Sequence, residues 1–271
     1  MNTPLRWLGE AIWEAVAPDL PGFTVEILPE IDSTNTELMR RARAGQFDPI
    51  LLVAERQTAG RGRLGRDWQS GAGGQSESSA CPSLTFSIGL PLAPRDWSGL
   101  SLAVGLSLVE SLHPDLRLKW PNDVYFEGRK LAGILIETVG MADAPGARYA
   151  VVGVGINLQA RRAEGLNTPP AWLHELLPGT QAPDALLQVA APLIHTLKAF
   201  EGSGFAPFQA RFNARDALTG LDVVLSDGMT GRAQGVDGVG ALQVLSAQGV
   251  QKVTSAEVSV RPAPRSVAFK S

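Results

Sequence analysis

The chain has 271 residues, 24 Lys plus Arg against 27 Asp plus Glu, a formal net charge of −3 and 44% apolar residues. Such a composition can bury a sizeable core, and it argues against a whole-protein nucleic-acid binder, whose surface would be basic, while leaving room for a local basic patch. The lone Cys81 excludes a disulfide framework and a Cys-based zinc site, and no apolar run reaches the roughly 18 residues that span a bilayer.

Arg6, Glu10, Glu14 and Asp19 break up the N-terminus and defeat a signal-peptide reading, so a soluble cytoplasmic protein is expected. Apolar residues at helical spacing predict a helix over residues 5–17, ended by Pro18 and Pro21-Gly22. A strand is expected at 23–28. Thr34 with Glu37 reads as a capping box opening a helix to about Ala44. Ile50–Ala54 reads as a buried strand, and residues 55–83 as a long irregular segment rich in Gly and Ser. Leu84–Leu90 is the next strand, and Trp97–Leu112 a helix capped by Ser98. Strands follow at Leu116–Trp120, Val124–Phe126, Lys130–Thr138 and Tyr149–Asn157, the middle pair joined at Glu127-Gly128. Residues 160–183 read as a loop, then 184–200 and 207–215 as helices.

From Gly220 short alternating pieces (Asp222–Leu225, Thr230–Val236, Ala241–Leu245, Lys252–Val260) predict a small all-β barrel. The expected division is a catalytic domain over 1–216 and a C-terminal barrel over 217–271. Elements mixed without βαβ regularity predict an α+β fold with a mixed or largely antiparallel sheet.

Three segments carry chemistry. In Gln57–Trp68 (QTAGRGRLGRDW), glycines at 60, 62 and 65 let backbone N–H groups face an anion, and Arg61, Arg63 and Arg66 supply positive charge. A solvated basic loop or an RNA-contacting Arg-Gly patch has the same composition. In Lys119-Trp120-Pro121-Asn122-Asp123, leading to Arg129-Lys130-Leu131-Ala132-Gly133-Ile134-Leu135-Ile136-Glu137, two of the five Lys fall close together. There Pro121 frees the Asn122 amide and Asp123 carboxylate to face a ligand, although a plain hairpin corner uses the same residues. In Val151–Leu158 (VVGVGINL), glycines inside an apolar strand mark a close approach by backbone or ligand, and Asn157 needs a partner. A β-bulge with a satisfied core Asn reads the same way. Trp7, Trp13 and Trp97 read as core residues, whereas Trp68 is placed to pack over a flat ligand.

Together with Asp32-Ser33-Thr34-Asn35, these segments in this order make the sequence resemble the biotin–protein ligases. The resemblance implies a class II synthetase-like catalytic domain followed by an SH3-like β-barrel. It implies that biotin and MgATP form biotinyl-5′-AMP, and that biotin then passes to a lysine of a biotin carboxyl carrier protein. Ser33, Thr34, Asn35, Gln57, Arg61, Gly62, Arg63 and Lys130 would line the biotin site. Arg66, Trp68, Asn122, Lys130 and Asn157 would bind ATP, and Arg63, Lys130, Asp123 and Lys119 would carry the chemistry. No protein metal ligands are assigned beyond the Mg2+ that accompanies ATP, and a homodimer is expected. The 31 residues before Asp32 are too few for the DNA-binding domain of regulatory members, so a monofunctional ligase without DNA or membrane partners is expected. Gln69–Pro82 departs from the family as an apparent insertion. The competing readings are a lipoate or octanoate ligase of the same fold and a nucleic-acid-binding regulator.

Overall fold

A computed structural model describes residues 5–68, 81–160, 170–254 and 260–262. Its strands β1 (Thr24–Ile31), β2 (Ile50–Gln57), β3 (Ser83–Leu92), β4 (Arg117–Lys119), β5 (Asp123–Phe126), β6 (Arg129–Gly140) and β7 (Arg148–Asn157) form one mixed sheet. The strand order is β1-β2-β3-β7-β6-β5-β4. Only β1 and β2 are parallel, because α2 (Thr34–Arg43) carries the chain back between them; the other pairs are antiparallel. Glu127 and Gly128 both have positive φ (47° and 75°), the conformation a two-residue hairpin between β5 and β6 requires.

Both sheet faces are covered, and this explains the long apolar runs. On one face, α1 (Gly9–Val16), α3 (Leu100–Leu112) and α4 (Ala182–Ser203) bury Leu84, Phe86, Ile88 and Leu90 of β3 with Ala150, Val152, Val154 and Ile156 of β7. On the other, Leu38, Met39 and Ala42 of α2 pack on Leu52, Tyr149 and Val151. Side chains alternate along a strand. Beyond α2, therefore, the second face carries Thr85 and Ser87 of β3, Gly133, Leu135 and Glu137 of β6, and Gly153, Gly155 and Asn157 of β7. The pairs Thr85↔Gly155, Ser87↔Gly153, Gly133↔Gly155 and Leu135↔Gly153 place these small and polar residues side by side. One helical layer is thick with apolar side chains, and the opposite face is left nearly bald.

After the short α5 (Gln209–Asn213), strands β8 (Asp222–Leu225), β9 (Thr230–Val236), β10 (Leu242–Ser246), β11 (Gly249–Val253) and β12 (Val260–Pro262) make a second, antiparallel sheet ordered β11-β10-β9-β8-β12. Its core residues Val223, Leu225, Val236 and Leu242 are continuous with the main core. The fully buried Trp120 donates its indole N–H to Gly240 O at 3.1 Å, tying the Trp120–Pro121 corner, whose peptide is cis, to this sheet. Among the described residues no helix is long and apolar enough to cross a membrane.

Several expectations need correction. The first helix starts at Gly9, not residue 5. Ser33, not Thr34, caps α2, its Oγ accepting from the Thr36 N–H at 3.4 Å, and Glu37 pairs with Arg40 and Arg41 instead of closing a capping box. The N-cap of α3 is Gly99 at φ 80°, where a left-handed residue was needed, and Ser98 donates its N–H to Asp96. The stretch Lys252–Val260 is not one strand: β11 ends at Val253 and β12 begins at Val260, with 255–259 outside the described residues. Trp13 is exposed, with its N–H on Phe23 O. Most of the Gln69–Pro82 stretch, residues 69–80, lies outside the described residues, as do 161–169.

Candidate active site

The carboxyl ends of the parallel pair β1–β2 bring the first turn of α2 against Gln57. The Thr34 N–H donates to Gln57 Oε1 at 2.8 Å. Ser33, Thr34 and Asn35 are nearly inaccessible, so their polar groups are spent on protein partners or aimed into a cavity. That cavity is bounded by Ser33, Thr34, Asn35, Gln57, Arg61, Gly62, Arg63, Trp68, Asn122 and Lys130, with the bald strand face as its floor.

Residues 58–68 fold back as a hairpin. The Trp68 N–H donates to Gly60 O at 2.9 Å and the Gly62 N–H to Arg66 O at 2.7 Å, and the tip turns at Leu64 and Gly65 with φ of 57° and 70°. A Cβ on Gly60 would lie 2.3 Å from Trp68 O, so the close return of the hairpin requires glycine there. Arg61 and Arg63 face the cavity, whereas Arg66 is exposed and does not line it. Arg63 donates from Nη1 to Asn122 Oδ1 at 3.3 Å. Burial pulls its pKa below the usual guanidinium range; Asp123 opposes that and Arg66 reinforces it. Such a cation gains from a bound anion.

The Trp68 indole lies across the paired glycines: a Cβ on Gly155 would come 2.3 Å from Cε2, and one on Gly133 3.4 Å from Cζ3. The indole N–H is buried over Gly155 without a hydrogen-bond partner among the described residues.

The Lys119–Asp123 corner supplies the opposite end. Asp123 Oδ1 accepts from Lys130 Nζ at 2.5 Å, and Lys119 pairs with Asp123 across β4–β5. Lys130 Nζ reaches over Gly133, where an added Cβ would lie 3.2 Å away. Burial lowers the pKa of Lys119, against Asp123, with further lowering from Lys130, Arg261 and Arg66. Asn122 donates from Nδ2 to Ile134 O at 2.7 Å. Asn157, almost fully buried, donates to Lys130 O at 3.3 Å and so steadies the start of β6.

Of the residues singled out from sequence, ten line the cavity. Arg66, Lys119, Asp123 and Asn157 do not, although the last two bond directly to Lys130. Sequence reasoning missed Thr85 and Ser87, and did not give Glu137 a role. The signal was available in a period-2 reading: in LTFSIGL and GILIETV, a polar or small residue falls at alternate positions of apolar strands. Burial, with Glu55 adding to it, pushes the Cys81 thiol up to about 11, which disfavours the thiolate.

Gly153 offers a test of the floor. A Cβ there would sit 2.1 Å from Asn35 Oδ1, and Asn35 is held by Leu135 O and Glu137. Gly153→Ala is expected to cost about 2–4 kcal/mol, seen as a lower thermal midpoint, through overpacking and broken hydrogen bonds. Adding Asn35→Ala should recover part of that loss; no recovery would show that the clash lies elsewhere.

The chain matches the model of the Biotin/lipoate A/B protein ligase family over residues 27–157 and that of the Biotin protein ligase C terminal domain over residues 225–261. It is 36% identical to the bifunctional ligase/repressor BirA of Escherichia coli, across 91% of this chain and 77% of that protein. It is 33% identical to the biotin–[acetyl-CoA-carboxylase] ligase of Paracoccus denitrificans, across 86% of this chain and 98% of that protein. Among solved structures, the biotin protein ligase from Aquifex aeolicus in complex with biotin and ATP superposes with a TM-score of 0.69. The identity is 30%, over 88% of this chain and 99% of that one.

Proposed function

The chain belongs to the biotin protein ligase family, and we propose that the cavity over the bald strand face is where it joins biotin to ATP. The enzyme is an ATP-dependent biotin–protein ligase. The biotin carboxylate attacks the α-phosphate of ATP, releasing pyrophosphate and forming biotinyl-5′-AMP. A lysine amine of a biotin carboxyl carrier protein then attacks the acyl carbon, forming the amide and releasing AMP. Biotin supplies the nucleophile of the first step and the carrier that of the second, so the protein must position, shield and neutralise charge.

The observation that carries the assignment of the site is its polarity. Hydroxyl and amide groups of Thr34 and Gln57 stand at one end, Arg63 and Lys130 serve the other, and Leu135, Trp68 and three glycines lie between. Biotin has the same order: a ureido head, an apolar ring and chain, and a carboxylate. In this reading Ser33, Thr34 and Gln57 receive the ureido group, while Asn35 holds them from behind. Arg61 and Gly62 close one side. Arg63 and Lys130 hold the carboxylate against the α-phosphate, with Asp123 fixing the Lys130 ammonium and Lys119 supporting Asp123. Arg66 meets the outer phosphates, Trp68 packs near adenine, and Asn122 and Asn157 serve nucleotide recognition.

Mg2+ enters with ATP. Among the described residues no cluster of three His, Cys, Asp or Glu could hold a metal. The Asp123 carboxylate and the Asn122 amide oxygen are engaged by Lys130 and Arg63, so in this reading the ion takes its ligands from phosphate and water. Residues 1–216 form the catalytic unit in this reading and 217–271 the C-terminal barrel, working in the cytoplasm. A homodimer is supported by β6, which runs to Gly140 although β5 pairs with it only as far as Gly133, leaving an open edge among the described residues.

The test is incubation with ATP, labelled biotin and a carrier domain. Biotin-dependent pyrophosphate release and label on the carrier lysine are expected. Release stimulated by lipoate but not biotin, or salt-sensitive nucleic-acid binding without adenylate, would overturn the assignment.

A further inference from the structure

The Gly-rich hairpin over the cavity is fastened to the sheet at two ends of different chemistry. Its base is continuous with the body, the Thr58 and Ala59 N–H groups donating to Ile31 O and Asp32 O at 2.9 Å. At the reacting end, Arg63 donates to Asn122 Oδ1 at 3.3 Å. The reaction disturbs that contact, because Arg63 serves the bound carboxylate and α-phosphate. At the head-group end, Arg61 Nη1 donates to Glu137 Oε1 at 3.3 Å, away from the reacting atoms.

Glu137 has a fixed seat of its own. It stands on β6 with its side chain 22% exposed, and its second oxygen, Oε2, accepts from Asn35 Nδ2 at 3.0 Å. Asn35 is 4% exposed and is anchored independently. Its Nδ2 also donates to Leu135 O at 3.2 Å, and its Oδ1 accepts from Ser87 Oγ at 2.7 Å. One carboxylate thus joins a buried side chain in the first turn of α2 to an arginine on the hairpin that is half exposed. Because the acceptor is charged, both bonds are stronger than neutral ones.

We propose that Glu137 is a positioning residue that latches the hairpin: it ties Arg61 to the rigid head-group end and keeps the hairpin closed over biotin and biotinyl-5′-AMP between the two half-reactions. Neither partner of the latch has to let go when the carboxylate is activated or when the carrier amine attacks, whereas Arg63 changes partners. The consequence is kinetic. Opening of the hairpin precedes release, so Glu137 sets how long a ligand stays more than how fast it arrives.

This inference rests on the cavity holding biotin, and the experiment separates the two. Labelled biotin, and labelled biotinyl-5′-AMP formed on the enzyme, are chased with excess unlabelled ligand, and association is timed separately. Glu137→Gln keeps an oxygen for Asn35 but turns an amide N–H toward Arg61, so it opens the latch with little change of volume. Release of both ligands should be about fivefold faster, the worth of a partly exposed ion pair. Association should stay within about twofold of wild type. Glu137→Asp, one methylene shorter, cannot reach both partners and should also release faster. Arg61→Met removes the other half of the pair. Release should already be fast there, and adding Glu137→Gln should change it hardly at all, since one interaction is lost only once. Failure of the wild-type protein to bind biotin would sink the assignment of the cavity. Normal binding by wild type with unchanged release from Glu137→Gln would sink the latch alone. Equal acceleration by Glu137→Gln in the wild-type and Arg61→Met backgrounds would make Glu137 a support for Asn35 only and likewise overturn the proposal.

Discussion

Lys130→Ala should slow biotinyl-5′-AMP formation by about a factor of 10³, equivalent to about 4 kcal/mol of transition-state stabilisation. The ammonium is placed by three constraints. Asp123 Oδ1 holds it at 2.5 Å, Gly133 leaves room beneath it, and Asn157 and Ala171 bond to its backbone carbonyl. A cation held this rigidly needs little reorganisation as charge builds on the α-phosphate, which is the source of the effect. Lys130→Arg should remain at least about tenfold below wild type, because a planar fork does not fit over Gly133 beside Trp68 as a compact ammonium does. Biotin-dependent pyrophosphate release in single turnover measures both. The side chain is 31% exposed, so the thermal midpoint should move little, and near-normal adenylation by Lys130→Ala would remove it from the chemistry.

Arg63→Ala is expected to lower kcat/KM for adenylation by about 10²–10³. Arg63 differs from Lys130 in how it is held: its hairpin is anchored by Gly60 and Gly62, and burial and Arg66 disfavour its charge. A bound carboxylate or phosphate relieves that penalty, so part of the loss should appear as weaker biotin binding. Stability should be unchanged or slightly higher, since a disfavoured charge has been removed. Arg63→Lys should restore binding more than turnover. Equal activity in Arg63→Ala and wild type would place the guanidinium outside the reacting centre.

Much of the site was legible because it consists of residue types that are expensive or awkward where they stand. Glycines inside β7, an Arg-Gly hairpin after an apolar strand, and a Lys at each end of a hairpin corner all violate what plain strands and loops would choose. Gly153 and Gly155 show why: one lies under Asn35 and the other under Trp68. Helix caps were less legible. Ser33 and Thr34 are adjacent and both able to cap, and only the backbone at Ser33, extended at φ −159°, decides between them. Ser98 lost to Gly99 because that turn needed a positive φ. Ser87 and Glu137 escaped notice because a polar residue in a strand says nothing about its partner until the neighbouring strands are known.

The amino-acid sequence by itself determined the element types, the mixed sheet, the late switch to short β strands and the motifs that mark the ligase chemistry. Those depend on local rules: apolar period, turn residues, and charge at short separation. The tertiary structure alone decided which alternate residues of β3, β6 and β7 form the floor, because facing depends on strand register across more than fifty residues of chain. It also decided that Asn35 in α2 bonds to Glu137 of β6 and Ser87 of β3. Those contacts pass through space between side chains, and the sequence order of their members, 35, 87 and 137, carries no trace of them.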